Sequence, residues 1–397
     1  MRVNKLLHTT FQNASNLIDK RISKALFSCV DSVFNGAYLS ISSLGRHLDG
    51  SAQTKNKIKR VDRLLSNSSL QSHFSFFYKD MTKLLITQNK RPLILVDGSL
   101  LSACGQYQFM SASIPLGGRS LPILEQAFLR DNIMKECSHK DFLGRLKMVL
   151  PDDCKPIIVT DAGFKNPWFS QVQSMGWDYV GRSVSSVLYL TDSDNKWLPI
   201  RELYSEAVSK AEFIATTKVS KTTPLLHSIY RYKEKAKGRI KKNVNGSRSQ
   251  AAPDKKQANR AKQPWVLFTS LPTEEYQPKD IINIYKKRMQ IEEAFRDLKD
   301  DHHGLGLIYN RSRDNDKITV ALLIGAIARF LLWALGLAAK QRNYHQSYQA
   351  NTIRTRNVLS VFFIAKQFLR NHKIYHKILD PWSIIDLSEL LIMVQYV

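Results

Sequence analysis

Three acidic residues have the types and settings of a phosphoryl-transfer site. Asp97 closes the apolar run Leu93-Ile94-Leu95-Val96, and Asp161 closes Pro156-Ile157-Ile158-Val159-Thr160. Glu292 lies far downstream, in a segment of helical periodicity. An acid at the end of a buried strand emerges at the carboxyl edge of a sheet, where α/β proteins build their sites. Two such acids on adjacent strands repel each other unless a cation sits between them. Hard oxygen donors with open positions suit Mg²⁺, or Mn²⁺ in its place. Two such ions can clamp the attacking and leaving oxygens of a phosphodiester. Either Asp alone would read as a strand or helix cap; the pair with Glu292 argues for chemistry.

The segment around Glu292 adds a second argument. If Pro278 to Asp300 is one helix, Tyr285, Arg288, Glu292 and Lys299 share a stripe roughly 60° wide. A Tyr, an Arg, a carboxylate and a Lys on one stripe do not look like a core face. They fit one metal ligand flanked by phosphate contacts, a solvated charged face being the alternative.

Elements must carry these residues to one place. Residues 1–88 read as helical. Leu39 to Leu48 resembles a short helix of a helix-turn-helix, and Thr54 to Leu65 follows as an amphipathic helix. Ile58, Val61 and Leu65 share one of its faces; Lys55, Lys59 and Arg63 form a separate basic stripe suited to DNA phosphates, or to an ordinary surface. A strand from Pro92 to Asp97 is followed by strands over 107–115 and 120–128, hinged at Gly117-Gly118. A helix over 138–150, a strand over 156–161, a helix from Pro167 to Met175 and a short strand over 177–180 come next. Three hairpin-linked strands followed by βαβ is the order of a ribonuclease-H-like mixed sheet. Short strands then dominate 181–273. The expected domains are therefore a helical DNA-binding domain (1–88), a catalytic core in two parts (89–180 and 274–345), an inserted β-rich region (181–273) and a helical C-terminal region (346–397).

Composition narrows the partner. The chain of 397 residues carries 59 Lys and Arg against 34 Asp and Glu, a net charge of +25. With 43% hydrophobic residues it can build a core, and such a surface should bind a polyanion, most commonly nucleic acid. Residues 231–262 hold twelve Lys and Arg against Glu234 and Asp254, a net +10 of the +25. A basic run of this kind is a solvated loop or one that orders on a nucleic-acid backbone. Cys29, Cys104, Cys137 and Cys154 show no Cys-x-x-Cys spacing, and the N-terminus lacks the apolar core of a signal peptide. Both fit a reducing cytoplasm. Ile318 to Ala339 is apolar and long enough to span a bilayer, but Arg329 at its centre is costly in lipid, so a buried core helix is expected and no membrane partner. Walker A, His-Glu-x-x-His and Gly-x-Ser-x-Gly patterns are absent from the sequence. His302-His303 suits a helix C-terminus better than a metal.

The segments LILVDGS, IIVTDAGFKNPW and IYKKRMQIEEAFRDLK resemble the three catalytic blocks of the DDE transposases. The last resembles the Tyr-x₂-Arg-x₃-Glu-x₆-Lys signature of the family-four insertion-sequence group, which includes the transposase of a bacterial tetracycline-resistance transposon. SLGRHL, NKIKRVDRLL, GGRSLPILEQAF, PWVLFTSLP and ANTIRTRNVLS extend the likeness over nearly the whole chain. The resemblance implies cut-and-paste DNA transposition in a bacterial cytoplasm. Asp97, Asp161 and Glu292 would be the catalytic, Mg²⁺-binding acids. Tyr285, Arg288 and Lys299 would hold phosphates of the transposon end. A strand break followed by a hairpin intermediate would precede joining to target DNA. Trp265 would capture a flipped base and Met289 would wedge into the stack, although both also suit core packing. Relatives assemble as homodimers bridging two double-stranded ends. Gly98 stands where such proteins usually have Trp, which leaves an inactive DNA-binding relative as the alternative.

Overall fold

The computed structural model describes residues 2–86, 89–101, 105–191, 195–234, 247, 251, 263–353, 358–372 and 381–386. In chain order the helices are α1 (Arg2–Thr10), α2 (Gln12–Ser15), α3 (Lys20–Phe34), α4 (Ile41–His47), α5 (Thr54–Leu65), α6 (Ser68–Leu85), α7 (Glu136–Val149), α8 (Asn166–Ser174), α9 (Pro278–Lys286), α10 (Met289–Lys299), α11 (Asn315–Gln341) and α12 (Val361–His372). The strands are β1 (Leu93–Leu100), β2 (Tyr107–Leu116), β3 (Arg119–Leu129), β4 (Ile157–Thr160), β5 (Asp178–Arg182), β6 (Leu188–Leu190), β7 (Trp197–Pro199), β8 (Glu212–Val219), β9 (Leu225–Tyr232) and β10 (Trp265–Thr269). Most of the basic 231–262 run, Arg354, Arg356 and Cys104 lie outside the described residues.

The chain forms two compact units. The first comprises residues 1–154 and 289–397. Its strands pair antiparallel in the order β3-β2-β1. The tight turn between β2 and β3 is made by Gly117 and Gly118, both with positive φ (59° and 96°), a region glycine enters without steric cost. Its helices start where the side chains dictate. Ser40 accepts from the Ser43 N–H to open α4, and Asn67 accepts from the Leu70 N–H to open α6. Asp314 accepts from the N–H groups of Asp316 and Lys317 and opens α11. Helices α4 and α5 pack closely because Gly45 has no side chain: a Cβ there would lie 2.6 Å from Ile58 Cα. On α5, Val61 and Leu65 are buried, while Lys55, Lys59 and Arg63 are exposed.

The apolar segment at 318–339 is a core helix. From Ile318 to Gly336 every residue of α11 is buried inside the protein, packed against β3, α3, α6 and α12. Long and apolar enough to cross a bilayer, it is enclosed by protein along its whole apolar window. Arg329 is neutralised within that core: its guanidinium pairs with Glu125 of β3, and both side chains are almost wholly buried. Ser111 adds a hydrogen bond to the same carboxylate (3.3 Å). Burial pushes the Glu125 carboxyl up, and Arg329 opposes that shift.

The second unit, residues 155–288, carries the strand order β4-β5-β10-β9-β8-β6-β7. Here β4 and β5 run parallel, joined through α8, and the remaining pairs are antiparallel. Pro167 at the start of α8 sets the helix off, as the sequence predicts.

One expected element differs. The helix read as continuous from Pro278 to Asp300 breaks at Lys287 and Arg288, giving α9 and α10. Tyr285 and Arg288 therefore do not lie on the same helix as Glu292 and Lys299. Only Glu292 and Lys299, seven residues apart on α10, still share a face.

Candidate active site

In the first unit, Asp97 is the fifth residue of β1, directly after the fully buried Ile94, Leu95 and Val96. Its carboxylate Oδ1 accepts the Gly98 N–H at 2.8 Å. Gly98 is exposed, and a Cβ there would meet only Ile133 Cδ1 at 3.4 Å and the Phe109 carbonyl at 3.9 Å, ordinary contacts. Space alone does not require glycine at this position.

Glu292 lies in the first turn of α10 rather than at mid-helix, and it is exposed. The same helix buries Ile291, Ala294, Phe295 and Leu298 against β1, β2 and β3. Arg119, at the start of β3, holds it there. Its Nε donates to Asp297 at 2.7 Å, and its Nη1 lies 3.6 Å from Glu293. Lys299 ends the helix. Its Nζ donates to Ser99 Oγ at 2.6 Å and sits 5.8 Å from the centre of the Phe109 ring. Burial lowers the Lys299 amine from its ordinary value, and the charge of Asp97 pulls it back up. The end of α10 thus brings Lys299 beside Ser99 and Asp97 of β1. Met289, the first residue of α10, is 45% exposed, so it is not a core residue.

In the second unit, Asp161 follows β4 directly, and its Oδ1 accepts the Gly163 N–H at 2.8 Å. A Cβ on Gly163 would crowd that same oxygen at 3.0 Å, so the turn favours glycine. The chain then enters α8 through Asn166. This buried amide donates to the carbonyls of Val219 and Thr223 and receives His227 Nε2 at 3.0 Å. His227 Nδ1 meets the Tyr179 hydroxyl at 2.8 Å. Because the Asn166 oxygen can only accept, the neutral ring carries its proton on Nε2. Burial pushes the His227 pKa down to about 3.

Tyr285 departs from expectation: it is 4% exposed, a buried ring rather than part of an open phosphate-binding stripe. It stacks edge-on against Trp265 at 5.1 Å, and Trp265 contacts Tyr232 at 5.6 Å. The Arg288 guanidinium lies 5.9 Å from the Tyr285 ring centre. Burial raises the Tyr285 hydroxyl pKa; Arg288 and Arg182 lower it, and Asp161 raises it further. Trp265 is only half-buried, so one part of its surface stays accessible. Arg182 at the end of β5, Arg119 and Ser99 were missed by sequence reasoning. Arg182 alone had a local signal, a cation closing an apolar strand.

Asp97, Asp161 and Glu292 supply the hard carboxylate oxygens that a divalent cation takes. Among the described residues, no group of three or more His, Cys, Asp or Glu side chains is placed so that it could hold a metal ion.

No curated protein matches the sequence. The family described as Transposase DDE domain matches residues 88–331, well over half of the chain and a span that includes Asp97, Asp161 and Glu292. The chain belongs to the Transposase DDE domain family, a family of DNA-transposing enzymes.

Proposed function

We propose that this protein is an insertion-sequence transposase that excises and integrates its element by cut-and-paste chemistry. The observation that carries the reading is the family match across residues 88–331. Asp161, directly after the strand β4, and Asp97, directly after the buried run of β1 but inside a strand that continues to Leu100, support it. Asp97, Asp161 and Glu292 are the acids that would hold Mg²⁺, with Mn²⁺ as substitute. When bound, such ions polarise the scissile phosphate and lower the pKa of the attacking water.

The chain's own residues bind and orient the DNA. Lys299, held beside Asp97 by Ser99, is placed to meet a phosphate next to the first acid. Arg288 and Arg182 supply positive charge near Asp161, and the Tyr285 hydroxyl lies in their field. Lys55, Lys59 and Arg63 on α5 take the phosphates of the duplex outside the reacting bond. Water opens the end, and the freed 3′-hydroxyl attacks the opposite strand to form a hairpin. Trp265 receives the flipped base on its accessible face, and the exposed Met289 enters the gap in the stack. After reopening, the 3′ ends join target DNA, with two protomers each bridging one end. Residues 1–88 serve end recognition, 89–180 and 274–345 the ribonuclease-H-like core, 181–273 an inserted β-rich region, and 346–397 a helical C-terminal region.

Excision tests this reading. A marker gene bracketed by the element's own inverted repeats is expected to be lost when the wild-type chain is expressed, and retained with Asp161→Ala. Equal loss with both proteins would refute the assignment.

A further inference from the structure

Two tyrosines stand partly exposed at the surface of the first unit. Tyr38, between α3 and α4, is 38% exposed; Tyr309, after α10, is 41% exposed; and Ile308 beside it is 48% exposed. The two rings contact each other, tilted by 39° with centroids at 5.0 Å. The pair is built rigidly. Gly306, at φ +63°, leaves the space that Tyr38 occupies, since a Cβ there would strike the ring. The Leu39 N–H donates to the Leu305 carbonyl at 3.0 Å, and the buried Asn310 amide donates to the Leu39 carbonyl at 3.0 Å. The Tyr309 hydroxyl donates to Asp301 at 2.7 Å, fixing the second ring.

Positive charge adjoins the pair. Arg311 and Arg313 follow Tyr309 by two and four residues, and both are exposed. Neither side chain is engaged in an ion pair among the described residues. The segment is pinned by the Tyr107 hydroxyl, which donates to the Arg313 carbonyl at 2.6 Å. The acids nearby are already occupied: Asp301 by Tyr309, and Asp314 by the backbone of α11. Two partly exposed tyrosines, with two exposed arginines two and four residues beyond the second, match the chemistry of single-stranded nucleic acid, where bases stack and phosphates pair with Arg.

We propose that Tyr38 and Tyr309 form a stacking platform for unpaired nucleotides of DNA, with Arg311 and Arg313 holding the flanking phosphates. The platform joins the segment leading into the α4–α5 pair to the loop behind the Glu292 helix, within one unit. It rests on the transposase reading, in which strands at the element's end are opened.

Binding by the full-length protein tests it. The probes are a labelled oligothymidine of about 20 nucleotides and a blunt duplex of similar length. Tyr309→Ala leaves the Tyr38–Gly306 contact in place; it is expected to weaken oligothymidine binding about tenfold and duplex binding less than twofold, with an unchanged melting temperature. Tyr309→Phe keeps the ring and is expected to bind as wild type. Arg311→Ala is expected to lower the salt dependence by about one. Wild-type affinity of Tyr309→Ala for oligothymidine, or equal losses in the Ala and Phe variants, overturns the platform alone. Failure of the wild-type protein to bind either probe overturns the transposase reading with it.

Discussion

Asp97 and Asp161 share a local design. Each follows a run of buried β residues, and each has one carboxylate oxygen fixed by a backbone N–H just downstream. This much was legible, because an acid ending an apolar run violates the burial pattern of a strand and local sequence records it. The burial of Tyr285 was not legible. Its neighbour Trp265, and Tyr232 that packs on Trp265, come from strands 20 and 53 residues away, and no local pattern announces them. Gly98 gives a residue-scale prediction. Since a Cβ there meets only ordinary contacts, Gly98→Ala is expected to fold with a melting temperature close to wild type, read by calorimetry. A drop of ten degrees or more would show that the site needs glycine.

Among elements, α10 depends on partners far away in sequence. Arg119 lies 178 residues from Asp297, so no reading of the helix itself reveals what orients it. Burial raises the Asp297 carboxyl, and Arg119 is the first group that brings it back. Arg119→Ala is expected to cost about 1–3 kcal/mol by leaving a half-buried acid unmatched. It should also lower cleavage more than DNA binding, because Glu292 rides on the same helix. Arg119→Lys should recover part of both, measured by urea unfolding and by gel shift. The break at Lys287 and Arg288 was invisible for a related reason, since both are good helix formers and nothing in their types ends a helix. In the second unit, the network of His227, Asn166 and Tyr179 ties α8 to β9 and β5. The His227 pKa falls from an unfolded value of about 6.5 to about 3. The unfolded chain therefore binds the proton first, and stability falls as pH drops through this window, by up to about 1.4 kcal/mol per pH unit. His227→Gln is expected to flatten the slope, as read from unfolding midpoints between pH 4 and pH 7; an unchanged slope would remove His227 as its source.

For the molecule as a whole, the apolar segment at 318–339 was the hardest feature to place from sequence. Length and composition suit a bilayer, and only the burial of Ile318 to Gly336, with Arg329 matched by Glu125, shows it as a core helix. Its partner on β3 is 204 residues away, beyond the reach of periodicity. Arg329→Met leaves a fully buried carboxylate without a cation and is expected to destabilise by about 3–5 kcal/mol. Adding Glu125→Gln should recover most of that loss, because an apolar and neutral pair of similar volume removes the buried charge; denaturant unfolding reads both. The order of the elements, three hairpin-linked strands and then βαβ, was legible because turn glycines and apolar runs mark each boundary. The net charge of +25 pointed to nucleic acid, and the family places DNA as the partner.

Cleavage of a labelled duplex carrying the element's own end tests the central claim most directly. Wild-type protein with Mg²⁺ is expected to nick at the end, while Asp97→Ala, Asp161→Ala and Glu292→Ala each bind the duplex with wild-type affinity and reduce nicking by at least about a thousandfold. Nicking by any one of the three variants at the wild-type rate would contradict the assignment of these acids.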